Sequence, residues 1–290
     1  MNKTVKRTSD LPLVSVIVTT KNNHATLEAC LRSISEQLYP RSELIVVDNS
    51  SSDDTKRIAR RFTSQVYDWG PERSAQRNYG VRRAAGQFVL IIDSDMELDP
   101  FIVPACVAAM KRGVQAHIIS EESFGQGFWA QCKRFERSFY TGMDAIEAAR
   151  FFRRRTFLRL GGYNEALTGG EDWDLTNRVR EIGTVDRVEA VIFHNEGCPR
   201  FLHTVRKMYY YARHAGAYFA ANPGQSPLTS ASGPLARFRL FFSRPRALLR
   251  HPLLALGMLT LKTAEYTAAG FGYTQSKSVA PRQLPNEEDV

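Results

Sequence analysis

Cysteine is scarce in this 290-residue chain, and Cys30, Cys106, Cys132 and Cys198 form no C-x-x-C pair. That spacing excludes a zinc knuckle and a small disulfide scaffold, and it fits a reducing compartment. No apolar run approaches the roughly 20 residues that a spanning helix requires. The longest late stretch, residues 252–261, stops at Lys262, so no transmembrane helix is predicted. A basic start (Lys3, Lys6, Arg7) precedes apolar residues 11–18, but no small-residue cleavage site follows. The run therefore reads as a buried strand and not as a signal peptide. Acidic residues are missing altogether from residues 200–262, where ten Lys and Arg stand. The chain has 39 basic against 30 acidic residues, a net charge of +9, so the excess sits in the last third. With 43% hydrophobic and 24% charged residues, the composition excludes intrinsic disorder and collagen-like repeats.

The first half alternates short apolar runs with helical patterns. This predicts an α/β, Rossmann-like mixed and mostly parallel sheet with helices on both faces. Strands are expected at residues 13–18, 44–47, 65–67 and 88–92, with helices over 27–38, from about 50, and over 72–85. The middle is less regular: a helix at 100–112, a strand at 116–119, helical turns at 128–140, a helix at 171–182 and a strand at 188–194. A long aromatic-rich helix over 200–221 precedes a Pro/Ser/Gly loop over 223–234, then a basic region and an apolar helix over 253–261. The expected organisation is a flexible 1–11, an α/β domain over 12–199, a helical C-terminal extension over 200–274 and a disordered tail over 275–290.

Ligands of open α/β sheets collect beyond the carboxyl ends of the strands. Two expected strands run into acids there: the second into Asp48, the fourth into Asp93-Ser94-Asp95. Residues i and i+2 of an extended chain point the same way, so Asp93 and Asp95 converge on one object. Two like charges so placed need a cation beside them, and a divalent metal carrying a diphosphate supplies one through oxygen ligands. Glu171 and Asp172 open a helix, where acids are favoured by the helix dipole whatever the protein does.

The ordered set Val14-Ser15-Val16-Ile17-Val18, Asp48-Asn49-Ser50-Ser51-Ser52-Asp53-Asp54, Arg77-Asn78-Tyr79-Gly80 and Asp93-Ser94-Asp95 resembles family 2 glycosyltransferases of the GT-A fold. Gly161-Gly162-Tyr163-Asn164-Glu165 and Gly170-Glu171-Asp172-Trp173-Asp174 extend the resemblance over roughly residues 12–195. The resemblance implies a metal-dependent, inverting transfer from a UDP- or GDP-linked sugar, with Mn²⁺ or Mg²⁺ as cofactor. It implies that Asp48 meets the nucleotide base, that Thr19, Asn22 and Ser94 flank the nucleotide-sugar, and that Arg77 lies near the diphosphate. Asp93 would face ribose and metal, Asp95 would ligate the metal, and His194 would complete the site. Asp172 matches the catalytic base, with Glu171 and Trp173 on the acceptor side. Thr19 stands where a proline is common, Lys21 where an aromatic is common, and Asn49 where a second Asp is common, which bears on the base contacts more than on the metal.

The Q-x-x-R-W signature of processive synthases is absent, so a non-processive enzyme is expected. A sugar-phosphate nucleotidyltransferase would need a Gly-rich, Arg-containing loop after the first strand, which residues 19–24 lack. The remaining alternatives are a soluble acceptor and a catalytically dead scaffold acting as a binding protein; retention of Asp95 and Asp172 opposes the second. The acid-free basic region, with Phe238, Leu240, Phe241, Phe242, Leu248 and Leu249 among its arginines, suits an anionic membrane surface. A lipid-linked or glycan acceptor at the cytoplasmic, inner face of the cell membrane is the expectation. The alternative is a helical pair packed on the catalytic domain with its arginines in water. No recognised nucleic-acid module is present, and no nucleic-acid partner is expected.

Overall fold

A computed structural model describes residues 10–144, 146–167, 169–221 and 233–276. The expected flexible start lies outside these residues up to position 9, as do most of the Pro/Ser/Gly loop and the tail from residue 277.

The apolar runs of the first half form β1 (Val14–Thr20), β2 (Ser42–Asp48), β3 (Val66–Asp68) and β4 (Phe88–Asp93), paired in parallel in the order β3-β2-β1-β4. Every residue of β1 is buried, which is why this central strand is apolar on both faces instead of alternating. Helices α1 (His24–Ser35), α2 (Thr55–Ala59) and α3 (Arg73–Arg83) connect the strands. The helical spacing of Leu27, Cys30, Leu31 and Ile34 gives α1 its buried face. At Gly80 of α3 an added Cβ would lie 2.5 Å from Ile17 Cγ2, so only glycine lets this helix press onto β1.

The second half contains β5 (Met96–Leu98), α4 (Ile102–Ala109), β6 (Val114–Phe124), α5 (Gly127–Arg137), β7 (Ala149–Arg153), α6 (Arg154–Arg159), α7 (Glu171–Arg180) and β8 (Thr184–Asn195). The eight-stranded sheet continues β4-β7-β6-β8-β5. β7 runs antiparallel to β4 and β6, and β5 antiparallel to β8, while β6 and β8 are parallel. Strands β5 and β7 and helix α6 were not expected. β5 is three residues long and β7 interrupts its apolar Ala149, Phe151 and Phe152 with Arg150, so neither shows a strand pattern. β6 and β8 are longer than their apolar centres, at 11 and 12 residues, because their polar ends pair with each other across the sheet.

Helices α8 (Phe201–Ala221), α9 (Pro234–Phe242), α10 (Pro245–Arg250) and α11 (Pro252–Ser276) close the described chain. The apolar helix expected over 253–261 is instead the front of α11, which runs for 25 residues. Lys262 does not end it, because its ammonium is buried against Glu136 at 2.8 Å and Glu265 at 2.5 Å. Phe139 and Tyr140, just beyond α5, form a separate small core with Phe241 of α9 and Met258 of α11. α11 thus packs on protein along one side, while Leu253 and Leu256 stay exposed. Among the described residues no helix is long and apolar enough to cross a membrane.

Candidate active site at the strand ends

The carboxyl ends of β1 and β4 open onto a cavity of about 240 Å³ whose lining includes Thr19, Lys21, Asp93, Ser94, Asp95 and His194. Asp95 follows β4, and the antiparallel pairing of β5 with β8 sets Met96 opposite His194. Asp95 Oδ2 lies 3.2 Å from His194 Nε2. The other oxygen, Oδ1, is buried and hydrogen-bonds to nothing. A buried carboxylate oxygen without a partner is costly unless a ligand satisfies it, and a hard cation is the ligand that suits oxygen beside imidazole. Among the described residues no three His, Cys, Asp or Glu side chains form a metal cage by themselves. The residues fit a metal that draws other ligands from a diphosphate and water, with Asp95 and His194 as protein partners.

Behind this cavity sits Arg77, fully buried on α3. Its Nη2 donates to both oxygens of Asp93, at 2.8 and 3.0 Å, and its Nη1 donates to Asp172 at 2.9 Å and Glu171 at 3.3 Å. The guanidinium also lies 5.1 Å from the centre of the Tyr163 ring. Burial alone would raise Asp93, but Arg77, Arg150 and Arg73 outweigh it and hold the carboxyl well below the usual range. Glu171 is pushed up, first by burial and then by the neighbouring Asp172 charge. Gly170, in the left-handed region at φ 82°, is the residue from which α7 starts, so Glu171 and Asp172 fall in its first turn.

On the far side of Asp172 lies a second cavity of about 370 Å³, walled by Arg137, Arg150, Glu121, Trp173 and, from α8, Lys207 and Tyr211. Trp173 is held there by its indole Nε1, which donates to the Ile146 carbonyl at 2.9 Å. Burial would raise Glu121, but Arg150, Arg137 and His194 bring it down to about 2. Two cavities thus meet across the Asp93–Arg77–Asp172 bridge: one with an unsatisfied carboxylate at strand ends, the other with a partly open carboxylate and aromatic walls.

The family model described as Glycosyl transferase family 2 matches residues 15–161. The chain belongs to this family. Glycosyltransferase AglE of Haloferax volcanii is 37% identical over 97 residues, 30% of this chain and 32% of that protein. A GalNAc(5)-diNAcBac-PP-undecaprenol beta-1,3-glucosyltransferase of Campylobacter jejuni is 29% identical over 182 residues, covering 56% of this chain and 58% of that one. The chain therefore spans 32% and 58% of these two relatives. Among solved structures, the mannosyltransferase PcManGT from Pyrobaculum calidifontis, in complex with GDP-Man and Mn²⁺, superposes with a TM-score of 0.60 at 20% identity, covering 93% of this chain and 89% of that one. The fold is GT-A with C-terminal helices added.

The family match ends before Glu171, Asp172, Trp173 and His194, so their placement in this family 2 chain rests on geometry alone. Thr19 donates to Asp93 at 3.2 Å, and Ser94 accepts from Asn23 at 2.8 Å at the cavity edge. Asn22 and Asp48 do not line this cavity. Asn22 accepts the Ser52 N–H, and Asp48, fully buried, accepts the Ser51 N–H at 2.7 Å, so the pair ties two loops together. The structure also puts Arg77 under the carboxylates, out of reach of solvent; Lys21, Arg73 and Lys207 are the cations that face the strand-end cavity. Arg73, Arg150 and Lys207 also line the site, although no motif in the sequence marks them. Arg73 stands four residues before Arg77 on one helix face, a usable signal. Lys207 was counted with the basic C-terminal charge, and Arg150 lay in a segment without a legible pattern.

Proposed function

We propose that this chain transfers a sugar from a nucleoside-diphosphate sugar to an acceptor presented at an anionic membrane surface, with inversion and without polymer extrusion. The observation that carries the reading is the buried, unpartnered Oδ1 of Asp95 beside His194, in a cavity edged by Lys21, Arg73 and Lys207. Mn²⁺ or Mg²⁺ bound there would neutralise charge on the departing diphosphate. Lys21, which lines this cavity alone, would stabilise that charge most in the transition state, while Arg73 and Lys207 line both this cavity and its neighbour. On the other side the acceptor hydroxyl must lose its proton as it attacks the sugar. Asp172 serves better than Glu171 here, because its side chain is 28% exposed against 5%. Arg77 holds one oxygen of Asp172 in place, and the second is left for the acceptor.

Titration calorimetry with UDP and GDP tests the donor half. Binding is expected with Mn²⁺, with loss on chelation and in Asp95→Ala. Equal affinity in Asp95→Ala and wild type, or indifference to chelator, overturns it.

The membrane half is supported by the C-terminal helices. Leu235, Phe242, Leu249, Leu253 and Leu256 are exposed, Leu249 by 79%, and Arg239, Arg244, Arg246 and Arg250 stand exposed in the same segment. Two of the basic residues counted from sequence, Arg237 and Lys262, are turned to protein, since Lys262 is buried on Glu136 and Arg237, only partly exposed, lies 4.0 Å from the same carboxylate. Each remaining cation near an anionic leaflet is worth about 1 kcal/mol, and inserted apolar side chains add a part that salt does not remove. Flotation with liposomes of rising anionic content should carry the full chain and not one cut before residue 235. Equal flotation of both, or of neither, makes a soluble acceptor the better reading.

A further inference from the structure

The larger of the two cavities holds more cationic donors than its own carboxylates use. Arg73, Arg137, Arg150 and Lys207 reach it from α3, α5, β7 and α8. The carboxylates around it already accept from cations. Glu121 accepts from Arg137 and Arg150, Glu147 from Arg187, and Glu171 and Asp172 from Arg77. On the cationic side, hydrogen-bonding capacity remains. Arg150 is 8% exposed, with Nε donating to Glu121, yet its buried Nη1 lies 3.6 Å from Asp93 and hydrogen-bonds to nothing. Lys207 is exposed and makes no ion pair among the described residues, and Arg73 comes no closer than 3.8 Å to Glu171. A buried N–H without an acceptor is unfavourable, so Nη1 of Arg150 has a hydrogen bond to give beyond the ion pairs with Glu121 and Asp93.

We infer that this cavity binds a phosphate group carried by the acceptor, gripped by Arg150, Lys207 and Arg73 next to Asp172. The word acceptor rests on the transferase reading above; the anion site itself does not. A phosphate has enough oxygens for donors arriving from three directions, and a guanidinium fork matches its geometry. Trp173 and Tyr211 on the same wall offer ring surface to the sugar or chain that the phosphate carries. The phosphate acts as an anchor that sets the acceptor hydroxyl beside Asp172, and it is not itself the attacking group.

The test is calorimetry on the full chain with inorganic phosphate, glucose 1-phosphate and farnesyl phosphate, using glucose and farnesol as uncharged controls. Each titration is run alone and with saturating UDP or GDP and Mn²⁺. Phosphate-bearing probes should bind better than their uncharged partners and survive the added nucleotide. Lys207→Gln and Arg150→Gln should each weaken them roughly tenfold, the loss of one charge-assisted hydrogen bond. Because Arg150 is buried and its variant can fail to fold, Lys207→Gln on the surface carries the test where Arg150→Gln does not. The assignment falls if controls bind equally well, if nucleotide displaces the phosphate, or if every folded variant binds like wild type. Stronger binding of farnesyl phosphate assigns the phosphate to a lipid, and stronger binding of glucose 1-phosphate to a soluble sugar phosphate. Should UDP and GDP both fail to bind, the donor reading is lost while the phosphate result stands or falls by its own controls.

Discussion

Two buried charge clusters in this molecule look alike and are placed differently. At the strand ends Arg77 meets three carboxylates, Asp93, Glu171 and Asp172, with Arg150 3.6 Å from Asp93 and Arg73 3.8 Å from Glu171. In the C-terminal helices Lys262 lies between Glu136 and Glu265, with Arg237 4.0 Å from Glu136, so two cations meet two carboxylates. The second cluster is neutral as it stands and joins α11 to α5. The first borders two cavities open to solvent, where a metal or an incoming hydroxyl would reach its outer carboxylates. Burial of ionic groups therefore does not mark a site; a charged cluster that borders a cavity does.

The largest effect should come from Arg77→Met. Asp172 would lose its cation and Asp93 and Glu171 their nearest one, and breaking a buried ion pair from one side costs up to about 5 kcal/mol. Chemical denaturation followed by circular dichroism measures it, and a loss under about 1 kcal/mol would show that Arg150 and Arg73 compensate the carboxylates without Arg77. Next comes Asp172→Asn, which keeps the shape but not the proton acceptor: turnover should drop by about 10²–10⁴-fold with nucleotide affinity retained. Turnover within about threefold of wild type would reduce Asp172 to a helix-terminal acid. Lys262→Met should cost about 3 kcal/mol of stability without altering nucleotide affinity, since Glu136 and Glu265 lose their main partner. Adding Glu265→Leu should recover part of that loss; no recovery would show that the cluster acts through packing and not charge.

The smallest effect is a pH dependence. In the folded chain Glu121 is brought down to about 2 from an ordinary 4.5, because Arg150, Arg137 and His194 overcome its burial. Lys133 and His194 do the same for Glu196, also to about 2. Both carboxyls are lower when folded, so their stabilisation is complete above the unfolded value and drains away as pH falls from 4.5 toward 2. Urea midpoints across that window should fall more steeply for wild type than for Glu121→Gln.

The parallel half was legible because its strands are buried on both faces, so β1, β2 and β4 read as apolar runs, the last two ending in acids. The carboxylates Asp93, Asp95 and Asp172 were legible for the same reason: strand ends and helix starts can be located without knowing the tertiary fold. What escaped was set by partners distant in the chain. Lys262 read as a helix stop because Glu136, which neutralises it, is 126 positions earlier. Arg77 read as a phosphate contact because nothing local says that Glu171 and Asp172 will cover it. Lys207 reads as membrane charge in the sequence because nothing local says that α8 lines the cleft.

The pairing of β5 with β8 also dictates when the site can exist. Asp95 and His194 are 99 residues apart, and only this three-residue strand laid against a distant one brings them into contact. Closing so long a loop is entropically expensive and is repaid only once β6 and β8 are in register. In refolding, the far-UV signal of the β1–β4 layer should therefore return before Mn²⁺-dependent nucleotide binding does. During synthesis the first four strands emerge with one side of the cleft already shaped. On the reading proposed above, a chain arrested before residue 194 should fold its first strands and bind no nucleotide.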